Sequence, residues 1–165
     1  MKSLRLYFID NEYIDYLRQF DERVPYNKNK RRPYIGIVFD YNGVKYFAPL
    51  SSPKAKHLKI RNDNLDVFKI KGGKLGVVNI NNMVPTPIEC LTDVFLNFDG
   101  DKEYRYLLFN QLKCINNERE KLFNKIKRFQ NRYRNGYLSK TILQRCCDFK
   151  LLEEKCKEYN VQKFT

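Results

Sequence analysis

The first twenty residues show an apolar run followed by a helical pattern. Residues 4–9 are mostly apolar and contain no glycine or proline, which predicts a short β-strand. Asn11 is a typical helix-capping residue, and the apolar spacing in residues 12–17 predicts one short helix after it. Residues 21–33 then combine prolines, asparagines and basic side chains with no apolar period, which is typical of an exposed basic loop.

Two β-hairpins are predicted in the next part of the chain. Residues 34–41 and 44–50 are rich in apolar and aromatic side chains and are joined by Asn42-Gly43. That dipeptide favours a hairpin turn in which both central residues have positive φ. Residues 65–70 and 75–80 repeat the arrangement around a glycine-containing turn, and we expect a second hairpin there.

The spacing of these strands indicates a small, mostly antiparallel sheet, because consecutive strands are joined by tight turns. Gly36 and Gly76 interrupt two strands, and glycine permits the sharp bends that closure of a sheet requires. Pro85 and Pro87 end the strand pattern. We therefore predict an α+β fold with a compact, strongly curved antiparallel β-barrel in residues 1–98.

After residue 99 the apolar period becomes helical. An apolar stripe at helical spacing, interrupted only by Arg119, predicts one long helix that ends at Gly136. Ser139 can cap a second helix, which we expect to pack antiparallel to the first. The stripe consists of Leu108, Leu112, Ile115, Leu122, Ile126, Phe129 and Tyr133. The second helix presents Ile142, Leu143, Cys146, Phe149, Leu152 and Cys156 on its inner face. Residues 99–165 form a helical hairpin in this interpretation, and residues 1–165 a single domain.

The charge of the chain indicates its class of partner. Its 165 residues include 32 Lys and Arg against 19 Asp and Glu, which gives a formal net charge of +13. Such an excess favours binding to a polyanion, and the 42% of hydrophobic residues argues against a disordered basic tail. We expect the partner to be a nucleic acid.

The sequence lacks the patterns that are typical of membrane, secreted, metal-binding and nucleotide-cofactor-binding proteins. No apolar run is long enough for a membrane span, and the charged N-terminus does not resemble a secretion signal, so a cytoplasmic protein is expected. The five cysteines form an odd set without a CxxC motif, and we expect them to be reduced. A lone histidine and dispersed carboxylates indicate no metal site, and no nucleotide-cofactor motif is present.

The segment of residues 49–57 carries the clearest candidate chemistry. Ser51, Ser52 and Lys54 follow the second strand of the first hairpin, with Pro53 between them. Two hydroxyls, free backbone N–H groups and one amine can hold the oxygens of a phosphodiester and stabilise charge during its cleavage by a neighbouring 2′-OH. The same residues are also typical of an ordinary surface turn, which is the simpler interpretation on composition alone.

Other basic residues extend the candidate nucleic-acid surface. They are Lys30, Arg31 and Arg32 in the early loop, Lys56 beside the serine segment, and Arg128 and Arg132 on the long helix. The aromatic residues among the helical cations can stack on bases, or pack on the sheet instead. His57 is a candidate proton donor or acceptor because imidazole titrates near neutral pH. Lys54 and a tyrosine are equally admissible for that step.

The order of five short motifs resembles a known family. They are Tyr13-Ile14-Asp15-Tyr16-Leu17, Arg32-Pro33-Tyr34-Ile35-Gly36-Ile37-Val38, Ala48-Pro49-Leu50-Ser51-Ser52-Pro53-Lys54, Asn81-Asn82-Met83-Val84-Pro85 and Cys147-Asp148-Phe149-Lys150-Leu151-Leu152-Glu153. Together they resemble the ToxN/AbiQ family, including its CptN branch, of type III toxin–antitoxin endoribonucleases. The likeness extends over nearly the whole chain.

The resemblance implies a barrel related to the MazF and Kid toxins. It also implies a sequence-specific, metal-independent endoribonuclease without a small-molecule cofactor. Its products would carry 2′,3′-cyclic phosphate and 5′-hydroxyl ends. It also implies an RNA antitoxin, folded as a repeated pseudoknot, that the toxin trims and that blocks the toxin in a cyclic protein–RNA assembly. Cellular mRNA would be the substrate, and phage defence by abortive infection the role.

Motif by motif, the resemblance assigns the family's catalytic segment to Ser51, Ser52 and Lys54. Tyr13 and Arg32 would orient the RNA, and Gln144 matches a late polar residue of the active site. The family's loop tyrosine is replaced by Lys28. Two rival functions share the same basic surface: a non-catalytic RNA-binding module, and a DNA-binding regulator with the long helix in a groove.

Overall fold

The computed structural model describes residues 2–164 and has an α+β architecture. The strands are β1 (Arg5–Ile9), β2 (Tyr34–Tyr41), β3 (Val44–Ser51), β4 (Val67–Lys69), β5 (Val77–Asn79), β6 (Val84–Pro85) and β7 (Leu91–Asp93). The helices are α1 (Asn11–Arg18), α2 (Lys102–Asn117), α3 (Arg119–Arg134), α4 (Lys140–Arg145) and α5 (Phe149–Phe164). No helix within residues 2–164 is both long and apolar enough to cross a bilayer.

Both predicted hairpins are confirmed, although the second has shorter strands than the sequence pattern indicates. β2 and β3 pair antiparallel from Tyr34 opposite Pro49 to Tyr41 opposite Val44. Asn42 and Gly43 have φ values of 52° and 85°, so the turn has the predicted positive φ at both positions. β4 and β5 pair antiparallel over three residues each.

The predicted closed barrel is wrong, because the sheet stays open. Its strand order is β4-β5-β3-β2-β1-β7, and β6 pairs with β3 beside this path. The two outer strands, β4 and β7, have three residues each and do not pair with one another. Closure needs edge strands long enough to tilt and pair round the axis, and these are too short. The likeness to the MazF and Kid toxins stays a prediction.

The predicted long helix is also divided. α2 ends at Asn117 and α3 begins at Arg119, with Glu118 outside helical geometry between them at φ −114° and ψ 20°. The Asn116 side chain bonds the backbone N and O of Leu4, and the Arg119 guanidinium donates to the Asn116 carbonyl. These bonds to the C-terminal end of α2 favour termination there, since helix-end carbonyls need partners.

The second predicted helix is divided in the same way. Ser139 does cap a helix, because its Oγ accepts a hydrogen bond from the backbone N of Ile142. That helix, α4, ends after six residues, since Cys146 has the extended angles φ −86° and ψ 138°. The N–H of Cys147 then bonds the carbonyl of Asn81. The chain resumes as α5, which completes a C-terminal helical hairpin.

The core joins the sheet to the C-terminal helices through aromatic rings. Phe149 is fully buried, and its ring centroid lies 5.7 Å from that of Tyr46 and 4.8 Å from that of Tyr133. The Tyr46 hydroxyl donates to the Glu153 carboxylate, which also pairs with the Arg134 guanidinium. One buried cluster thus fixes β3, α3 and α5 against one another.

We predict that Phe149→Ala lowers the free energy of unfolding by about 3–5 kcal/mol, because the substitution leaves a cavity among packed rings. Urea unfolding measures the change. Phe109→Ala removes the same atoms from a side chain that is 54% exposed and should cost less than about 1 kcal/mol. Equal losses in the two variants would contradict the central place of Phe149 in the core.

Candidate active site

Strand β3 carries the serine segment to one end of the sheet. Ser51 is the last residue of β3, and its Oγ accepts a hydrogen bond of 2.9 Å from the Asn79 side chain. Gly76 lies against the same residue: a Cβ atom at Gly76 would come within 2.0 Å of the Ser51 carbonyl oxygen. Gly76 also has φ +97°, which favours glycine. The start of β5 therefore holds the backbone of Ser51 in place.

Beyond Ser51 the chain borders a small, strongly cationic pocket. Its volume is about 180 Å³, and the residues that line it are Lys28, Arg31, Arg32, Pro33, Leu50, Ser51, Ser52, Lys54, Tyr104 and Gln111. None of these residues is acidic. Within residues 2–164 the four basic side chains form no ion pair with a carboxylate. Their charge is thus available to an anionic ligand.

The loop that supplies three of these cations is ordered by a buried asparagine. Lys28, Asn29 and Lys30 have φ values of 49°, 55° and 63°. Asn27 holds this left-handed segment: its side chain donates to the Ile9 carbonyl and to Asn11, and its carbonyl accepts from the N–H groups of the two arginines that follow. The segment turns the side chain of Lys28 into the pocket.

Mutual repulsion shifts the titration of Lys28. Arg32 is the largest cause of a lowered pKa for the Lys28 amine, followed by burial and by Lys54. A lowered pKa increases the fraction of the free amine near neutral pH. Lys28 is therefore better prepared to accept a proton than an ordinary surface lysine.

His57 supports the pocket from behind and does not line it. The residue is 3% exposed, and its Nδ1 accepts a hydrogen bond of 3.2 Å from the backbone N–H of Lys54. Burial, followed by the charges of Lys56 and Lys54, lowers the pKa of the imidazole. The neutral ring is the form that can accept this bond, so His57 fixes the backbone from which Lys54 projects.

Two residues of α2 complete the pocket, and the sequence patterns did not identify either. Tyr104 lies in the first turn, and burial raises the pKa of its phenol. Gln111 is 1% exposed, and its Nε2 donates to the Leu75 carbonyl at 2.7 Å. Its Oε1 has no hydrogen-bond partner among residues 2–164. The available signal was spacing, since a glutamine between Leu108 and Leu112 occupies the buried face of the helix.

One predicted RNA contact is not supported. Tyr13 is fully buried, and its hydroxyl donates to the Pro85 carbonyl, so this side chain packs in the core. α1 begins at Asn11 and is preceded by Asp10 as its capping residue, which places Tyr13 on the inner face of the helix. The apolar period of α1 accounts for this burial better than an RNA-contacting role.

The remaining predicted site residues divide into two groups. The pocket brings together the predicted catalytic residues and two basic residues of the early loop: Ser51, Ser52, Lys54, Arg31 and Arg32. Lys30 lines an adjoining groove and pairs with Asp10 at 3.3 Å. The others are exposed and lie outside the pocket: Lys56 beside Lys54, Arg132 on α3, Arg128 at a cavity with Lys69 and Lys121, and Gln144 on α4. The pocket is lined by Gln111 and not by Gln144, and the role assigned to Gln144 stays a prediction.

A pocket with two serine hydroxyls, four basic side chains and no carboxylate is the kind of site that binds a phosphodiester, and the fold presents it at the end of a β-hairpin. The chain belongs to the ToxN toxin family of type III toxin–antitoxin systems. The family model described as "Toxin ToxN, type III toxin-antitoxin system" matches residues 5–157.

Individual relatives agree with this assignment. The chain is 33% identical to Endoribonuclease ToxN of Bacillus thuringiensis subsp. kurstaki, over 94% of this chain and 84% of the relative. It is 30% identical to Endoribonuclease ToxN of Pectobacterium atrosepticum, with 94% of each chain covered. Endoribonuclease AbiQ of Lactococcus lactis subsp. lactis is 33% identical, with 96% of this chain and 90% of the relative covered.

Solved structures share the fold. A lactococcal anti-phage endoribonuclease, AbiQ, superimposes with a TM-score of 0.80 at 30% identity, covering 96% of this chain and 99% of that chain. A structure described as showing "selective toxin inhibition by a non-coding RNA pseudoknot" has a TM-score of 0.76 at 31% identity, with 96% and 99% covered. The α+β arrangement is therefore that of the family.

We predict that Gly76→Ala disturbs the active site and reduces RNA cleavage. The new methyl group would displace the Ser51 carbonyl and reduce RNA cleavage on the order of 10- to 100-fold, because small displacements of reacting groups are costly. Gly136→Ala is the matched control: Gly136 also has positive φ, at +75°, but nothing lies within 4 Å of its added Cβ. That variant should lose about 1 kcal/mol of stability and keep its activity. Full activity of Gly76→Ala would contradict this account.

Proposed function

We propose that the pocket formed by Ser51, Ser52 and Lys54 cleaves RNA without a metal ion or other cofactor, as the endoribonuclease toxin of a type III toxin–antitoxin system. The observation that carries the proposal is the meeting of two serine hydroxyls and four basic side chains in one pocket without a carboxylate in its lining. Family membership supports the activity, because the curated relatives are named endoribonucleases.

In this scheme the serine hydroxyls hold the scissile phosphate and the cations stabilise the charge that develops on it. The ribose 2′-oxygen attacks the adjacent phosphorus, a new P–O2′ bond forms and the P–O5′ bond breaks. The 2′-OH proton passes to a base, and the departing 5′-oxygen gains a proton from an acid. The products are a 2′,3′-cyclic phosphate and a 5′-hydroxyl. We assign Lys54, with Arg32 beside it in the pocket lining, to neutralise the charge on the pentacovalent centre.

Among the groups that line the pocket, we propose Lys28 as the proton acceptor and keep Lys54 for charge stabilisation. His57 is behind the pocket, and Tyr13 is in the core. Tyr104 lines the pocket, but burial raises the pKa of its phenol and so disfavours the phenolate. The Lys28 amine both lines the pocket and has a lowered pKa. We assign the proton transfer to Lys28 for these reasons.

Gln111 acts as a positioning residue in this scheme. Its Nε2 binds the Leu75 carbonyl, one residue before the glycine that packs on Ser51, so it links α2 to the serine segment. Its unpartnered Oε1 is an acceptor at the wall of the pocket. Tyr13 has only a structural role in our proposal.

The proposed partners are an RNA antitoxin and cellular mRNA in the cytoplasm. A homologous toxin is described as selectively inhibited by a non-coding RNA pseudoknot, and another homologue as an anti-phage enzyme. By analogy we propose that a repeated pseudoknot RNA, trimmed by this chain, closes with it into a cyclic assembly. Release from the antitoxin would then expose mRNA to cleavage during phage infection.

A non-catalytic RNA-binding module is the rival interpretation. We predict that the purified protein cleaves RNA in excess EDTA and leaves cyclic phosphate and 5′-hydroxyl ends, since the cations supply the charge stabilisation that a metal ion would provide. Gel electrophoresis and end-group analysis of the fragments measure both properties. RNA that is retarded but stays intact with and without Mg²⁺ would favour the rival.

Lys54→Ala is predicted to abolish cleavage while much of the affinity for antitoxin RNA remains, because one of many phosphate contacts is lost but the reacting phosphate loses its neighbouring charge. Cleavage rates and filter binding measure the two properties. Lys56→Ala removes the same charge two residues away, outside the pocket, and should retain cleavage. Normal cleavage by folded Lys54→Ala protein would refute the assignment.

The pH dependence of cleavage tests the role of Lys28. Because the free amine is the active form, kcat/KM should rise with pH up to the pKa of Lys28, which is below that of an ordinary lysine. Arg32→Gln removes the largest cause of the lowered pKa, so the rising limb should move to higher pH. Arg128→Gln makes the same charge change outside the pocket and should leave the limb in place. An unmoved limb in Arg32→Gln would exclude Lys28 as the base.

A further inference from the structure

A wider groove continues from the cationic pocket. Its volume is about 820 Å³, and it shares Lys28, Arg31, Ser52 and Tyr104 with the pocket. A ligand phosphate held at Ser52 would therefore have its neighbouring nucleoside at the entrance to this groove. The groove is large enough for a nucleoside, but none of the roles assigned so far uses it.

The two sides of the groove differ in chemistry. One side is the basic loop of residues 28–31. The other is the segment of residues 97–104, which comprises the end of the connection between β7 and α2 and the first turn of α2. On that second side Phe98 and Tyr104 lie with their ring centroids 6.0 Å apart and their planes inclined by 33°. A Cβ at Gly100 would approach the Phe98 ring to 2.5 Å, so Gly100 leaves room for this ring position. The side thus offers an aromatic surface to a base.

A free carboxylate stands beside this aromatic surface. Asp101 is engaged, because its Oδ1 accepts a hydrogen bond of 2.7 Å from the Tyr104 backbone. Asp99 is exposed, lines the groove, and has no hydrogen bond or ion pair within residues 2–164. A carboxylate repels phosphate and accepts hydrogen bonds from amino groups. The phosphate end and the base end of a bound nucleotide are therefore distinguished by charge.

We propose that this groove binds the nucleobase next to the scissile phosphate, with Phe98 as the stacking surface and Asp99 as the acceptor for an exocyclic amino group. Adenine, cytosine and guanine carry such a group, whereas uracil has none, and its single N3–H lies between two carbonyl oxygens that the Asp99 carboxylate would repel. The groove thus selects among cleavage sites. This inference rests on the proposed function, because it assumes that the phosphate is held at Ser52 for cleavage.

The test compares cleavage of short RNAs that differ only in the nucleotides on either side of the scissile bond. For wild-type protein we expect kcat/KM to be higher with an amino-bearing base than with uracil at one of these positions. Asp99→Asn supplies an amide donor for the uracil carbonyl and should reduce that ratio about tenfold. Asp15→Asn, an equal change at an exposed residue of α1 outside the groove, should leave the ratio unchanged.

Phe98 has a different expected effect, because stacking depends little on the identity of the base. Phe98→Ala should raise KM for all substrates by about tenfold with the base ratio retained, and Phe98→Tyr should restore the KM. An unchanged base ratio in Asp99→Asn, with active and folded protein, overturns the assignment of Asp99 while the proposed cleavage function stands. Wild-type protein that cleaves none of the RNAs overturns the proposed function, and the base site with it.

Discussion

Repulsion among like charges is the constraint on which the site depends. A pocket of about 180 Å³ is bordered by four basic side chains and has no carboxylate in its lining; the four are Lys28, Arg31, Arg32 and Lys54. This repulsion lowers the pKa of Lys28, with Arg32 as the largest cause. An arrangement of this kind is unfavourable in the free protein and becomes favourable when a phosphodiester enters. The fold must therefore hold the cations together until the ligand arrives.

The rest of the structure supplies that rigidity. The β2–β3 hairpin carries Ser51, and the buried contacts of Tyr46 with Phe149 and Glu153 anchor the same hairpin to α5. Arg134 completes the cluster by pairing with Glu153 while its guanidinium lies 3.5 Å from the centroid of the Tyr41 ring. Strong packing at one side of the sheet thus offsets unfavourable electrostatics at the other, which is a common distribution of stability in functional proteins.

Local chemistry decided which features the sequence could predict. Asn42-Gly43 requires positive φ at two adjacent positions, so the hairpin could be recognised from two residues. The break at Glu118 was missed because the apolar period continues in phase from α2 into α3, and the long-range bonds between Asn116 and Leu4 at the end of α2 leave no trace in that period. The apolar periods of α2 and α1 indicate that Gln111 and Tyr13 are buried. They do not say that Gln111 meets the pocket and Tyr13 the core, because that depends on how the two helices dock on the sheet. The open sheet likewise follows from strand lengths that the apolar runs overstated.

The left-handed segment of residues 28–30 has a consequence for the speed of recognition. Asn27 already ties this segment to Ile9 and Asn11 in the unliganded protein, so the entropy of ordering it is lost during folding and not during encounter with RNA. A preformed binding loop needs no slow rearrangement after collision. Under the proposed function, such a toxin would be competent as soon as its RNA inhibitor departs, and the lifetime of that inhibitor would set the delay before the effect.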